Sequence, residues 1–116
     1  MSATVKLKEN RDFRRAYTRG RCYTSSALVT YVLKRRGNHC RIGITTSKKI
    51  GCAVARNRAR RIISAAWRSV SPEVDCGADF VFVARTRTTL LKSTDIEKVM
   101  RKQLTEAGCI RKEQCE

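Results

Sequence analysis

The sequence predicts a single α+β domain, a layer of sheet with helices packed on it. Three observations carry this. Ala59, Ile62, Ile63, Ala66 and Val70 recur at i, i+3, i+4, i+7 and i+11, the period of one helical face. The runs 27–34 (ALVTYVLK), 40–47 (CRIGITTS) and 79–85 (DFVFVAR) are short, rich in β-branched and aromatic residues, and free of internal breakers other than Gly43. No repeat, low-complexity tract or linker separates these elements, so the 116 residues bound one domain with one core, placed at about 5–108.

Taken in order, residues 7–20 read as a first helix. Asn10 is a suitable N-cap, Phe13, Ala16 and Tyr17 fall at i, i+3 and i+4, and Gly20 is a C′ stop. Residues 21–26 add a short strand before the run 27–34. Arg35-Arg36-Gly37-Asn38 then turns the chain, and Cys40, Ile42 and Ile44 alternate with Arg41, Gly43 and Thr45, so 27–34 and 40–47 are expected to pair as a hairpin. Gly51 breaks the path into the next helix, which runs to about Val70 and ends at Ser71-Pro72. The apolar run at 79–85 is a buried strand. Thr94-Asp95-Ile96-Glu97 has capping-box spacing and opens a last helix with a stripe of Ile96, Val99, Met100, Leu104 and Ala107 before Gly108. Residues 109–116 form a mixed-charge tail expected to fray.

The net charge of +16 is unevenly placed. Residues 1–68 hold 18 Lys and Arg against 2 acids, whereas 69–116 hold 8 against 8. One half of the chain is therefore the binding half. A basic field of this size attracts nucleic acid or an anionic membrane surface, and the Ala/Ile face of the basic helix suits packing inside a small domain better than insertion into lipid. With neither a long apolar window nor a secretory pattern, a cytoplasmic protein with no membrane partner is expected.

The six cysteines (Cys22, Cys40, Cys52, Cys76, Cys109 and Cys115) show no C-x-x-C, and the one histidine, His39, adjoins Cys40. Zinc ligation is weakly supported by that pattern, and free, structural thiols are the default.

Residues 47–68 hold the densest charge: Lys48, Lys49, Arg56, Arg58, Arg60, Arg61 and Arg68, without an acid. At about 100° per residue from Ala59, Arg60 falls near 100°, Asn57 near 160°, Arg68 near 180°, Arg61 near 200° and Arg58 near 260°. The cations thus share the side opposite the core stripe. Like charges one turn apart repel by a few tenths of a kcal/mol per pair, and a polyanion would relieve them. A solvated charged face is the blander alternative, but such faces normally include acids.

A second constellation is aromatic: Phe13 and Tyr17 one turn apart, and Tyr31 on the strand 27–34. Such rings either fill the core or stack on unpaired bases, at about 1 to 3 kcal/mol per base. Periodicity alone leaves both open. Arg14, Arg15, Arg19 and Arg21 nearby read equally as backbone contacts or as general surface charge.

Protein nuclease chemistry needs a general base and usually a carboxylate cluster for metal ions. One histidine, with Glu9 and Asp12 the only acids of the basic half, assembles neither. No catalytic residue is expected on this polypeptide.

The pattern Lys48-Lys49-x-Gly51-x-Ala53-Val54-x-Arg56-Asn57-x-x-Arg60-Arg61 closely resembles the signature of the protein subunit of bacterial ribonuclease P. Two positions depart from it: the family usually has Lys at Arg60, which keeps the charge, and Arg at Ser64, which does not. The resemblance implies an αβββαβα fold with a left-handed crossover, where pattern reasoning would have chosen the right-handed sense. It implies that Lys48, Lys49, Arg56, Asn57, Arg58, Arg60 and Arg61 lie against the catalytic RNA, with Arg68 on the same face. The pattern Leu7-x-x-x-x-Asp12-Phe13-x-x-Ala16-Tyr17 looks like the family's first helix, which assigns Phe13, Tyr17 and Tyr31 to a cleft for the 5′ leader of precursor tRNA. The implied partners are ribonuclease P RNA and precursor tRNA, with no obligate protein partner. The implied activity is endonucleolytic release of the leader, with Mg²⁺ held mainly by the RNA. A structural RNA-binding protein and a nucleoid-type DNA binder share the charge and size, though neither requires this spacing.

Overall fold

The structure is a computed structural model and describes residues 4–35 and 39–110. Its elements run β1 (Thr4–Lys6), α1 (Asn10–Arg19), β2 (Arg21–Thr24), β3 (Leu28–Lys34), β4 (Cys40–Thr45), α2 (Ala53–Val70), β5 (Ala78–Ala84) and α3 (Ser93–Glu106). This is the expected α+β order, with the short strand at 21–24 present and an unexpected three-residue strand, β1, at its start.

The sheet order is β1-β4-β5-β3-β2, so β3 and β4 do not form the expected hairpin. β5 lies between them, antiparallel to β3 and parallel to β4. The reason is burial: six of its seven residues are buried, and a strand apolar on both faces is most stable at the centre, hydrogen-bonded on both edges. The expected turn at 35–38 falls, beyond Arg35, outside the described residues.

The sheet separates two apolar layers. On one face Leu28, Val32, Phe80 and Phe82 pack against α2 and α3 through Ile63, Ala66, Val70, Ile96, Met100 and Leu104. Trp67, which the helical stripe left out, is buried there with its ring 5.3 Å from Phe80 and 5.7 Å from Phe82. Ile62 and Val99, counted in the stripes, are only half-buried. On the other face α1 covers a smaller layer of Leu7, Ala16 and Val81, with Phe13, Tyr31 and Val83 at its border.

Polar contacts fix how the layers sit. Asp79, almost fully buried, accepts from Arg41 Nε at 2.8 Å and Nη2 at 2.7 Å, and Arg41 Nη1 reaches Asp12 of α1 at 3.4 Å. Buried Gln103 of α3 donates to the carbonyls of Tyr23 and Leu28, both at 3.0 Å, and accepts from the Thr30 hydroxyl at 2.6 Å.

Three helix ends differ from expectation. Asn10 is the first helical residue and Glu9 the cap position, with no side-chain cap. Gly20 is extended (φ −80°), and its lack of a side chain serves a close approach, since a Cβ there would lie 2.9 Å from the Val32 carbonyl oxygen. α3 starts at Ser93, where Asp95 accepts from the Lys92 backbone N–H at 3.1 Å, so Thr94 and Glu97 form no capping box. The tail also begins later than expected. Cys109 and Ile110 are buried, the Cys109 carbonyl accepts from the Asp75 N–H at 2.9 Å, and Ile110 bridges Val74. Residues 111–116 lie outside the described residues.

Candidate nucleic-acid interface

A 3₁₀ turn at Lys48–Ile50 leads from β4 to Gly51, whose φ of 133° belongs to the region that favours glycine. Two residues later α2 begins. Its stripe of small and apolar residues is held against the sheet, so the opposite side faces solvent. Lys48, Lys49, Asn57, Arg58, Arg60, Arg61 and Arg68 are exposed, and Arg56, closer to the core stripe, is half-buried. Among the described residues none of these cations forms an ion pair.

Val54 is a residue of the exposed cationic face that sequence reasoning passed over. It is 69% exposed and shares a surface concavity with Asn57, Arg60 and Arg61. The signal was available: at about 100° per residue Val54 falls near 220°, between Arg61 and Arg58 and far from the core stripe.

Cys52 stands at the N-terminus of α2. Its thiol faces the N–H groups of Ala55 and Val54 without closing a capping hydrogen bond. Those amides, with a smaller contribution from the Arg56 charge, hold its pKa below the ordinary thiol value. Buried Cys109 is the opposite case, pushed up by desolvation and by the neighbouring Cys76 thiol. Among the described residues Cys22, Cys52, Cys76 and Cys109 form no disulfide.

The aromatic residues meet on the other side of the sheet. Strand register puts Tyr31, Val81 and Gly43 in one row across β3, β5 and β4. α1 lies over that row and brings the Tyr17 ring edge-on to Tyr31, with centroids 4.9 Å apart. Tyr17 is 39% exposed, whereas Phe13 and Tyr31 are half-buried. Interaction with the Cys22 thiol, helped by burial, raises the Tyr31 phenol above its usual value. Phe13 and Tyr17 line an open cleft of about 400 Å³ together with Asn10, Arg14 and Thr45. Phe13 alone belongs to both, bordering the smaller apolar layer and lining the cleft. Tyr17 lines the cleft, and Tyr31, expected there, borders the layer and reaches the cleft only through its contact with Tyr17.

The two constellations meet at Arg60. Besides its place among Val54, Asn57 and Arg61, it lines a second concavity, of about 350 Å³, with Lys6, Phe13, Gly43 and Ser64. A strand of nucleic acid crossing that concavity would touch the ridge and the cleft together. Arg68 is set apart in the last turn of α2, about 18 Å along the axis from Arg56. Among the described residues no group of three or more His, Cys, Asp or Glu could hold a metal ion, and no helix is long and apolar enough to cross a membrane.

A family model described as Ribonuclease P matches residues 1–108. The ribonuclease P protein component of Clostridioides difficile is 40% identical over 96 residues, covering 82% of this chain and 84% of that one. That of Clostridium novyi is 37% identical over 110 residues, covering 93% and 97%. Among solved structures, the RNase P protein of Staphylococcus aureus matches with a TM-score of 0.79 at 27% identity, covering 91% of this chain and 97% of that one. The RNase P protein of Thermotoga maritima has the same fold, with a TM-score of 0.67 at 24% identity over 88% and 93% of the two chains.

Proposed function

The chain belongs to the ribonuclease P protein family, and from that premise we propose that it grips ribonuclease P RNA with the α2 ridge and the 5′ leader of precursor tRNA with the aromatic cleft. Family membership gives it a role in tRNA 5′ processing together with ribonuclease P RNA, as a subunit supporting the holoenzyme. The observation that carries the finer reading is the concavity shared by Arg60 and Phe13, which brings the two binding surfaces to one edge of the sheet.

On the ridge, the planar forks of Arg56, Arg58, Arg60 and Arg61 are suited to two phosphate oxygens each, while Lys48 and Lys49 act as point charges. Relief of their mutual repulsion and release of counterions drive assembly. In the cleft, Phe13 and Tyr17 supply faces on which unpaired bases stack, and Tyr31 holds Tyr17 edge-on at 4.9 Å. A leader is present in precursor tRNA and absent from the mature product, so binding it favours substrate over product.

The polypeptide itself does not cut RNA in this reading. Asp12 on α1 and Asp79 on the sheet beneath it are both engaged by Arg41. The Mg²⁺ that the holoenzyme needs is assigned to the RNA, and the protein's cations lessen phosphate repulsion around it.

The test is reconstitution with a bacterial ribonuclease P RNA and 5′-labelled precursor tRNA, in Mg²⁺ low enough that the RNA alone is nearly inactive. An intact leader should appear only when both subunits are present. Cleavage by the protein alone would overturn the division of labour. Tight RNA binding without rescue would move the chain to a structural RNA-binding role.

A further inference from the structure

We propose that the leader does not end in the aromatic cleft but continues over the outer face of α1, along a second cationic track that ends at the β2 edge. The inference rests on the cleft as the seat of the leader's first nucleotides.

Three concavities are joined by two shared arginines. Arg14 lines the aromatic cleft and also a shallow groove on α1 with Arg11, Arg15, Thr18 and Arg19. Arg19 in turn lines that groove and a larger concavity of about 480 Å³ with Arg21, Tyr23 and Lys34. The path is thus continuous from Phe13 to Tyr23. Arg11, Arg15 and Arg19 stand at i, i+4 and i+8, so successive Cβ atoms are about 5–6 Å apart along one line.

The charge on this path is nearly unopposed. Glu9 pairs with Arg11 at 3.0 Å, and Glu106 stands at the rim of the last concavity. Among the described residues Arg14, Arg15, Arg19 and Arg21 form no ion pair. Repulsion along the row is relieved by a polyanion, as on α2. The two rows sit on opposite faces of the sheet, since α1 covers the smaller apolar layer and α2 the larger. One rigid RNA surface docked on α2 is therefore not the natural ligand of α1. A flexible single strand entering from the cleft is, and half-buried Tyr23 gives it a ring at the far end.

The experiment uses full-length protein assembled with ribonuclease P RNA and measures affinity for mature tRNA and for precursors with short, intermediate and long leaders. Wild type should bind more tightly as the leader outgrows the cleft. Arg15→Ala with Arg19→Ala should remove that gain, a several-fold loss on the longest leader, while leaving short-leader precursor and mature tRNA unchanged. Its salt dependence on the long leader should be shallower by about 0.7 log units for each phosphate left unneutralised. Arg15→Lys with Arg19→Lys should restore most of the affinity. Equal loss on every substrate, or none on the longest, overturns the track. Phe13→Ala, run in parallel, reports on the cleft alone: unchanged affinity for the short-leader precursor removes that reading by a different signature.

Discussion

The Phe13 ring lies where a side chain on Gly43 would have to be: a Cβ built on Gly43 would sit 2.6 Å from Phe13 Cζ and 3.3 Å from Leu7 Cδ1. Glycine at that point of β4 lets the ring rest on the sheet, with its outer edge toward the cleft. Gly43→Ala should therefore push Phe13 off its seat. Overpacking of this kind costs about 1–3 kcal/mol. We expect a lower melting temperature and a several-fold loss of precursor affinity, with assembly on ribonuclease P RNA unchanged. Phe13→Ala should likewise weaken precursor and spare mature tRNA. Equal loss for both tRNAs would return the ring to a purely structural role.

Arg60 and Arg61 differ in surroundings despite being adjacent. Both line the concavity with Val54 and Asn57, but only Arg60 also borders Phe13 and Ser64. Arg60→Ala with Arg61→Ala should weaken assembly and flatten its salt dependence by about 0.7 to 0.9 log units for each phosphate left unneutralised. Arg60→Ala alone should in addition lower precursor affinity in the assembled enzyme, and Arg61→Ala alone should not. Titrations at several salt concentrations give the slopes, and an unchanged slope for the double variant would take α2 out of the interface.

Local periodicity made much of this site readable. The 3.6-residue repeat put Ala59, Ile63, Ala66 and Val70 inward, and the cations followed on the other side. What periodicity cannot carry is strand order. Runs 27–34 and 40–47 are adjacent in sequence and alternate well, yet a run 33 residues beyond Thr45 separates them, because the most apolar strand takes the centre. The join between Arg60 and Phe13 was hidden for the same reason, since it depends on β4 lying beside the short edge strand β1. Trp67 escaped the stripe because its angle, near 80° from Ala59, lies at the stripe's border, while its large ring reaches back to Phe80 and Phe82. Gln103 and Asp79 are polar residues made buriable by partners far away in sequence.

Gln103 gives a stability prediction with little bearing on RNA. Its amide satisfies two backbone carbonyls and its oxygen the Thr30 hydroxyl, all in the interior. Gln103→Ala removes all three bonds. A buried polar group left unpaired costs about 1–3 kcal/mol, so a loss of at least about 2 kcal/mol is expected, large for a domain of this size. Urea denaturation measures it. A double cycle with Thr30→Val should show coupling between the two residues, and strict additivity would mean that the Thr30 hydroxyl finds another acceptor.

Cys52 provides a probe of the interface that needs no substitution. The amides of Ala55 and Val54 and the charge of Arg56 favour its thiolate, so its pKa lies below the ordinary thiol value. The sign follows directly: as pH falls, an ordinary thiol protonates first and Cys52 keeps its thiolate to lower pH. Peptide mapping after brief iodoacetamide treatment should find Cys52 modified ahead of exposed Cys22, with buried Cys40 and Cys109 last. Its reaction should persist to lower pH than that of an ordinary thiol. Ribonuclease P RNA should suppress the reaction twice over, by covering the N-terminus of α2 and by placing phosphates where they disfavour the thiolate. Full reactivity of Cys52 within the assembled holoenzyme would mean that the RNA does not approach this end of the helix, and would confine the ridge to the turns beyond Arg56.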